Sequence, residues 1–175
     1  MKRTIKTEAI VLKKRAFPNQ DKIVTLFTKE LGKLTVFAKG IKKITSRRLP
    51  HVQTANLINT ILYKKDNRFY LQETNLISGF SQIKKNPHKI QLLYLFLFVV
   101  ERLLPENQLE TTVYKLVLKF LIELAKTDSQ NDLFLTKSLN KILQLLGYSK
   151  EDKSYDELTN TIEEIIHEKM PELHI

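Results

Sequence analysis

The sequence contains no cysteine and no tryptophan, and only four of its 175 residues are glycine. The lack of cysteine excludes disulfides, cysteine-based zinc sites and a cysteine nucleophile. The four histidines are scattered, no two carboxylates are spaced to hold a metal, and no glycine-rich phosphate loop is present. We therefore expect a protein that is not an enzyme and carries no metal or cofactor.

Long hydrophobic runs are also missing. The most apolar stretch, residues 90–100, includes Gln91 and is shorter than the roughly 20 residues that cross a bilayer. The N-terminal residues have no continuous apolar segment followed by a small-residue cleavage site, so they do not form a secretory signal. We expect a soluble, cytoplasmic protein.

Positive charge is unevenly distributed along the chain. Residues 1–50 carry fourteen Lys or Arg against three acids, a net charge of +11, whereas residues 51–175 carry a net charge of −1. Such asymmetry indicates a polyanionic partner, with nucleic acid first and an anionic membrane second. A membrane surface would call for a basic amphipathic helix or a lipidation motif, and the N-terminal half has neither, so we expect no membrane association.

Residues 21–48 contain two alternating apolar runs, 23–28 and 33–39, on either side of Gly32. Both runs are rich in β-branched and aromatic residues, and this pattern predicts a β-hairpin. In the second run Leu34, Val36 and Ala38 share one face, while Thr35, Phe37 and Lys39 share the other. One face can therefore enter a core while the other meets a partner.

Three further runs, residues 6–16, 55–63 and 69–73, also predict strands. Five short strands within about 80 residues, with no long helix, favour a small closed barrel of the OB kind, and an open SH3-like sheet is the alternative. From Pro87 onward the helical period takes over. Helices are predicted over 87–104, 109–124, 134–146 and from 155 towards Pro171, with Asn86, Gly147 and Ser154 as end signals.

The predicted fold class is therefore α+β with two domains: an OB-fold barrel over residues 1–80 and an all-α helical bundle over 81–175. A loop with five basic residues and no acid follows the hairpin. We expect it to contact phosphates, although a basic loop can also be ordinary solvated surface. The candidate DNA-binding residues are Lys39, Lys42, Lys43, Arg47 and Arg48 in this loop, with Lys13, Lys14, Arg15, Lys33 and Phe37 as further candidates. Phe37 could stack on a base or simply pack under a loop or against the helices, and the same alternatives apply to Tyr70. Asp21 is expected to be a structural hydrogen-bond acceptor.

Two motifs resemble the RecO family of bacterial recombination mediators. The first is Asp21-x-x-x-Thr25-x-Phe27-Thr28-x-x-x-Gly32-Lys33, followed by Ala38-Lys39-Gly40, Lys42-Lys43 and Ser46-Arg47. The second is Leu139-x-x-Ile142-Leu143-x-x-Leu146-Gly147-Tyr148, which is similar to a helix end in the helical domain of that family. The resemblance covers most of residues 5–148.

The resemblance implies a non-catalytic, nucleoid-associated DNA repair protein, which we expect to be a monomer. Such a protein binds single- and double-stranded DNA, anneals complementary strands, engages the acidic C-terminal tail of single-strand-binding protein, and works with RecR to load RecA. The lysines of the helical half that are available for the acidic tail are Lys115, Lys119, Lys137 and Lys141, and the sequence does not choose among them.

The sequence departs from the family pattern after Tyr148. Many RecO proteins carry a four-cysteine zinc site in an insert there, whereas only residues 149–153 precede the last predicted helix here. We expect a shortened RecO that lacks the insert and its zinc. Two alternatives to this function remain: an RNA- or ribosome-associated OB-fold protein, and a protein-interaction module whose DNA binding is incidental.

Overall fold

The computed structural model describes residues 4–18, 21–40, 48–127 and 132–172 of the protein. Its first part contains five strands: β1 (Thr4–Phe17), β2 (Asp21–Thr28), β3 (Gly32–Ala38), β4 (Leu57–Lys65) and β5 (Arg68–Ser78). They close into a barrel in the order β1-β2-β3-β5-β4, in which only β3 and β5 run parallel. The predicted five-stranded OB-type barrel is confirmed, with β1 and β5 longer than the sequence pattern indicated.

Alternation along the strands separates the barrel core from the outer surface. In β3 the side chains of Leu34, Val36 and Ala38 are buried, whereas Thr35 and Phe37 are only partly covered. The two faces of the predicted hairpin are therefore confirmed. Each buried Val or Leu side chain contributes about 1.5–3 kcal/mol relative to an exposed one. The core is completed by residues from every strand and from the connection after β3, among them Ala9, Val11, Val24, Leu26, Val52, Ile58, Leu62 and Leu71.

The remainder of the described chain is helical. The helices are α1 (Ser81–Lys84), α2 (Pro87–Leu103), α3 (Thr111–Lys126), α4 (Asp132–Leu145) and α5 (Tyr155–Ile166). The side chain of Asn86 accepts a hydrogen bond from the Lys89 amide at 3.1 Å, and Ser154 forms a capping box with Glu157, so both predicted caps are confirmed. The single turn α1 was not predicted because four residues are too few to show a helical period.

By packing, the chain forms two compact units: residues 1–79 with 105–114, and residues 80–104 with 115–175. The first unit is the barrel together with a segment that the sequence pattern gave to the helical half. The predicted boundary between residues 80 and 81 stays a prediction about separable domains. In the second unit the rings of Phe96 and Phe120 stack with centroids 3.7 Å apart, and Phe134 stacks on Phe120 at 5.0 Å.

The connection between α4 and α5 occupies residues 146–154. The buried amide of Asn140 holds it by donating to the Lys153 carbonyl and accepting from the Lys153 amide, each at 2.9 Å. Gln144 also donates to Asp152 at 2.8 Å. The position where the RecO resemblance implies a zinc insert is therefore a short connection fixed by side-chain hydrogen bonds.

Residues 105–114, which we call the strap, fill an open edge of the barrel. Strand β5 pairs with β3 only at Val36 and Phe37, so the beginning of β3 lacks a partner on that side. The strap supplies one, because Glu106 pairs in parallel with Lys33 and the Asn107 amide donates to the Lys33 carbonyl at 2.8 Å. The first residues of β3 are thus hydrogen-bonded on both edges.

Side chains also attach the strap. The Thr35 hydroxyl donates to Glu106 at 2.7 Å, and the Tyr114 hydroxyl donates to Glu8 at 2.9 Å. Burial, together with the hydrogen bond to Glu8, raises the pKa of the Tyr114 hydroxyl far above its usual range. Tyr114 also meets the ring of Phe27 edge-on at 5.3 Å. The strap therefore combines a backbone pairing with a buried aromatic anchor.

Gly32 is the position on which the strap most directly depends. Its φ is +74°, and a Cβ there would lie 1.8 Å from the Gln108 carbonyl oxygen. We expect Gly32→Ala to lower the free energy of unfolding of the barrel unit by about 3 kcal/mol, because left-handed strain adds to displacement of the strap. Urea denaturation, with hydrogen exchange of the β3 amides, measures this.

Gly147→Ala is the matched control. Gly147 has a similar φ of +80°, but a Cβ there would meet nothing within 4 Å. It should therefore cost only about 1 kcal/mol of strain. If both variants lost the same free energy of unfolding, or if hydrogen exchange of the β3 amides were unchanged in Gly32→Ala, the close approach of Gln108 to Gly32 would not contribute to stability.

Candidate nucleic-acid interface

Four aromatic side chains lie together on the outer face of the barrel, and we call them the aromatic strip: Phe17, Phe37, Tyr63 and Tyr70. Phe37 meets Phe17 edge-on with ring centroids 5.9 Å apart and meets Tyr70 at 5.7 Å. Tyr63 on β4 is the cross-strand partner of Tyr70 on β5. The strip thus crosses the surface with one residue from each of β1, β3, β4 and β5.

Strand alternation explains why these rings face outwards. Val36 and Leu71 enter the core, so their neighbours Phe37 and Tyr70 must point to the opposite face. The parallel pairing of β3 with β5 places Phe37 directly beside Tyr70. Neither ring is fully exposed, but Phe17 is 43% exposed. An aromatic surface of this kind offers π-faces on which unpaired bases can stack.

Cationic side chains surround the strip, and we call Lys39, Lys65 and Arg68 the basic rim. The Lys39 Nζ lies 5.0 Å from the centre of the Tyr70 ring, and the Arg68 guanidinium lies 5.8 Å from the centre of the Phe37 ring. All three rim residues are exposed. Aromatic faces interleaved with cations suit a single strand, whose bases stack while its phosphates are neutralised.

A cavity of about 450 Å³ opens in this surface. Its lining combines aromatic, cationic and amide side chains with a single carboxylate: Phe37, Lys39, Tyr63, Lys65, Asp66, Tyr70, Leu71 and Gln72. Its volume lies within the range of about 300–1,000 Å³ that is usual for small-ligand sites.

Two hydrogen-bonded residues hold the ends of the basic loop. The Asp21 carboxylate accepts from the Gly40 amide at 2.6 Å, which confirms Asp21 as a structural acceptor. The Arg48 guanidinium donates to the carbonyls of Leu71 and Lys39, both at 2.8 Å. Arg48 therefore joins the two sides of the loop to β5, next to the cavity.

The predicted DNA-binding residues fall in different environments. Lys13, Arg15 and Lys39 are exposed, and Arg15 shares the outer face with Phe37 because both pair with Ile23. Lys33 is only 8% exposed, beside the strap, so little of it can reach a phosphate. Lys42, Lys43 and Arg47 lie outside the described residues.

Lys14 lies on the inner side of β1, at the end of the barrel. It pairs with Val24, a core residue, and its ammonium donates to the side chain of Gln53. Burial, helped by the nearby charge of Lys22, lowers the pKa of Lys14. Lys14 is thus placed apart from the outward-facing Arg15.

Sequence reasoning missed Phe17, Tyr63, Lys65 and Arg68 as members of this surface. Each lies at a strand end beside a turn, where an aromatic or basic residue is unremarkable on its own. They become neighbours through the register of the strand pairing, for example that of Tyr63 with Tyr70. Tyr70 is a candidate for base stacking from the sequence, but its neighbours on other strands could not be predicted from one sequence.

The described residues contain no group of three or more His, Cys, Asp or Glu that could hold a metal ion. Across the same residues, no helix has the length and apolarity needed to pass through a bilayer.

The family described as "Recombination protein O N terminal" matches residues 1–80. The DNA repair protein RecO of Caldanaerobacter subterraneus subsp. tengcongensis is 33% identical over 146 residues, which are 83% of this chain and 59% of that protein. RecO of Thermoanaerobacter sp. strain X514 is 33% identical over 147 residues, with the same coverage of 83% and 59%. RecO of Chlorobium limicola is 29% identical over 150 residues, 82% of this chain and 56% of that protein. The chain thus spans less than two thirds of the length of these curated relatives.

Replacing Arg48 by Lys keeps the positive charge but cannot bridge two carbonyls with the same planar fork. We expect Arg48→Lys to lower the free energy of unfolding of the barrel unit by about 1–2 kcal/mol, because at least one hydrogen bond from a charged donor is lost. Arg68→Lys, at an exposed position, should change it by less than about 0.5 kcal/mol. Urea denaturation compares the two, and equal effects would show that the bridge is not structural.

Proposed function

We propose that this chain acts in DNA repair and recombination, because its residues 1–80 match the family described as "Recombination protein O N terminal" and it is similar to DNA repair proteins RecO. In this role it binds DNA and catalyses no reaction. The observation that carries the proposal is the aromatic strip with its basic rim on the outer face of the barrel. The excess of positive charge in residues 1–50 supports the same partner.

Single-stranded DNA is the ligand whose chemistry suits this surface best. Its bases are free to stack on Phe37 and Tyr70, whereas a duplex keeps its bases stacked on one another. Its phosphates would meet Lys39, Arg68 and Arg15. Lys42, Lys43 and Arg47 of the basic loop remain proposed phosphate contacts on the ground of sequence alone.

Annealing of complementary strands follows from the same contacts. Two single strands repel each other through their phosphates, and cations that neutralise both backbones lower that repulsion. Base pairing then supplies the driving force, so no acid–base residue is needed. Binding of double-stranded DNA would use the cations without the aromatic strip.

The resemblance to the RecO family also implies protein partners. We propose that the chain works with RecR and RecA, in the cytoplasm beside the nucleoid, and that its helical unit engages the acidic tail of single-strand-binding protein. Lys115, Lys119 and Lys126 lie on one face of α3 with the 37%-exposed Ile122. Lys126 also lines a cavity of about 320 Å³ with Glu123, Thr127 and Phe134, which offers a cation next to an apolar ring, with one carboxylate beside them. Such a combination suits an acidic peptide that carries an apolar side chain.

The aromatic strip can be tested by replacing Phe37 and Tyr70 together with leucine, which keeps apolar volume but removes the π-faces. We expect affinity for a labelled single-stranded oligodeoxynucleotide to fall about tenfold or more, since base stacking on an aromatic contributes about 1–3 kcal/mol per base. Fluorescence anisotropy measures it, and Tyr94→Leu, which removes a 56%-exposed tyrosine of the helical unit, is the control.

Equal binding by the strip variant and the Tyr94 variant would contradict this proposal and favour a protein-interaction module. An RNA oligonucleotide of the same sequence should bind no more tightly than DNA. Clear preference for RNA, with no annealing of DNA, would instead favour the RNA-associated alternative.

The basic rim makes a separate prediction about salt. The logarithm of the affinity for single strands should fall linearly with the logarithm of salt concentration, by about 0.7 per phosphate contacted. Changing Lys39, Lys65 and Arg68 together to Gln should therefore flatten the slope by about 2. A salt series of the same anisotropy measurement tests this, with Lys150→Gln, an exposed lysine in the α4–α5 connection, as the control. An unchanged slope would show that the three residues of the basic rim do not contact phosphates.

A further inference from the structure

The cavity beside the aromatic strip contains one acid among cations. Asp66 lines it together with Lys39 and Lys65. Within the described parts of the chain, no hydrogen bond or ion pair of the Asp66 carboxylate is present. A carboxylate in this position repels phosphate, so it weakens general affinity for nucleic acid. Its presence needs either a structural reason or a ligand group that it binds.

The geometry of the turn between β4 and β5 explains only in part why residue 66 is an aspartate. Asp66 and Asn67 form the two-residue turn between β4 and β5, with φ values of +48° and +58°. Positive φ at both positions is the type I′ geometry, which Asn and Asp both tolerate. Asn at position 66 would serve the turn equally well without the negative charge. The tight turn also holds the backbone of Asp66 at the edge of the cavity.

The other lining groups indicate a nucleobase. Tyr63 and Tyr70 supply aromatic surface, and Lys39 and Lys65 can hold a phosphate. Gln72, two residues after Tyr70 at an irregularity in the pairing of β5 with β4, lines the same cavity. The cavity therefore combines a stacking surface, a phosphate contact, a carboxylate and an amide within about 450 Å³.

Guanine is the base whose edge best matches these groups. Its Watson–Crick edge presents two adjacent donors, N1–H and N2–H₂, which fit the two oxygens of one carboxylate. Its O6 accepts from an amide such as that of Gln72. Adenine, cytosine and thymine each offer a carboxylate only one donor group on that edge. We propose that the cavity is a guanine subsite for a single strand bound on the aromatic strip, an inference that rests on the proposed function.

The test compares an oligothymidylate with the same oligonucleotide that carries one central guanine. Wild-type protein should bind the guanine-containing strand about fivefold more tightly, the lower end of what a bidentate base contact gives, because the cavity is open. Asp66→Asn keeps the turn and should abolish this preference while binding oligothymidylate as well as wild type or better. Glu73→Gln, which removes an exposed acid of β5 that does not line the cavity, should retain the preference.

Two results would overturn the subsite: no guanine preference in wild type, or a preference that survives in Asp66→Asn. If Asp66→Asn bound both oligonucleotides more tightly and kept the same preference for guanine, the role of Asp66 would be limited to the turn. Each of these outcomes leaves the proposed function intact if replacing Phe37 and Tyr70 still weakens binding. If those replacements have no effect, the proposed function fails as well.

Competition with guanosine monophosphate separates a strand from a free nucleotide. The guanine-containing oligonucleotide should be displaced only by a large excess of the mononucleotide, because a single nucleotide lacks the neighbouring stacking and phosphate contacts. Displacement at an equal or lower concentration would identify a free-nucleotide site and overturn the single-strand form of the proposal.

Discussion

The parallel pairing of β3 with β5 is the contact on which the barrel and its surface both depend. It comprises only two residue pairs, Val36 with Phe69 and Phe37 with Tyr70. The first pair contributes to the core, and the second places two aromatic rings side by side outside it. The same pairing therefore closes the barrel and forms the aromatic strip, because side chains alternate between the inner and outer faces of a strand.

The shortness of that pairing creates the need for the strap. Without the strap, the backbone N–H and C=O groups at the beginning of β3 would lack hydrogen-bond partners. Unpaired backbone groups cost free energy when they are buried, and at an exposed edge they can pair with another chain and cause aggregation. The strap satisfies these groups through Glu106 and Asn107 and adds Tyr114 as an anchor. It lies beside acids such as Glu8, whereas the cations of the rim lie near the aromatic strip. The beginning of β3 therefore holds the strap, and the end of β3 carries Phe37 of the aromatic strip.

Positioning residues connect the barrel to its surface chemistry. Arg48 uses its guanidinium on two backbone carbonyls, and Asp21 uses its carboxylate on the Gly40 amide. Arg48 is a predicted phosphate contact and Asp21 a predicted structural acceptor, and both side chains bind backbone groups. Residues with less obvious positions, such as Arg68, face the aromatic rings instead. Counting charge therefore predicts the class of partner, and the hydrogen bonds in the structure show which charged residues hold the ends of the loop.

The sequence by itself determined the strand and helix types, the five-stranded barrel, the caps at Asn86 and Ser154, and the basic character of the first fifty residues. These features depend on local periodicity, end signals and composition, all of which lie within short stretches of chain. Only the tertiary structure decided which residues became neighbours. Phe37 and Tyr70 are 33 positions apart, and the strap meets Lys33 from more than 70 positions away. Such contacts depend on register and on how an open edge is filled, and no local pattern encodes either.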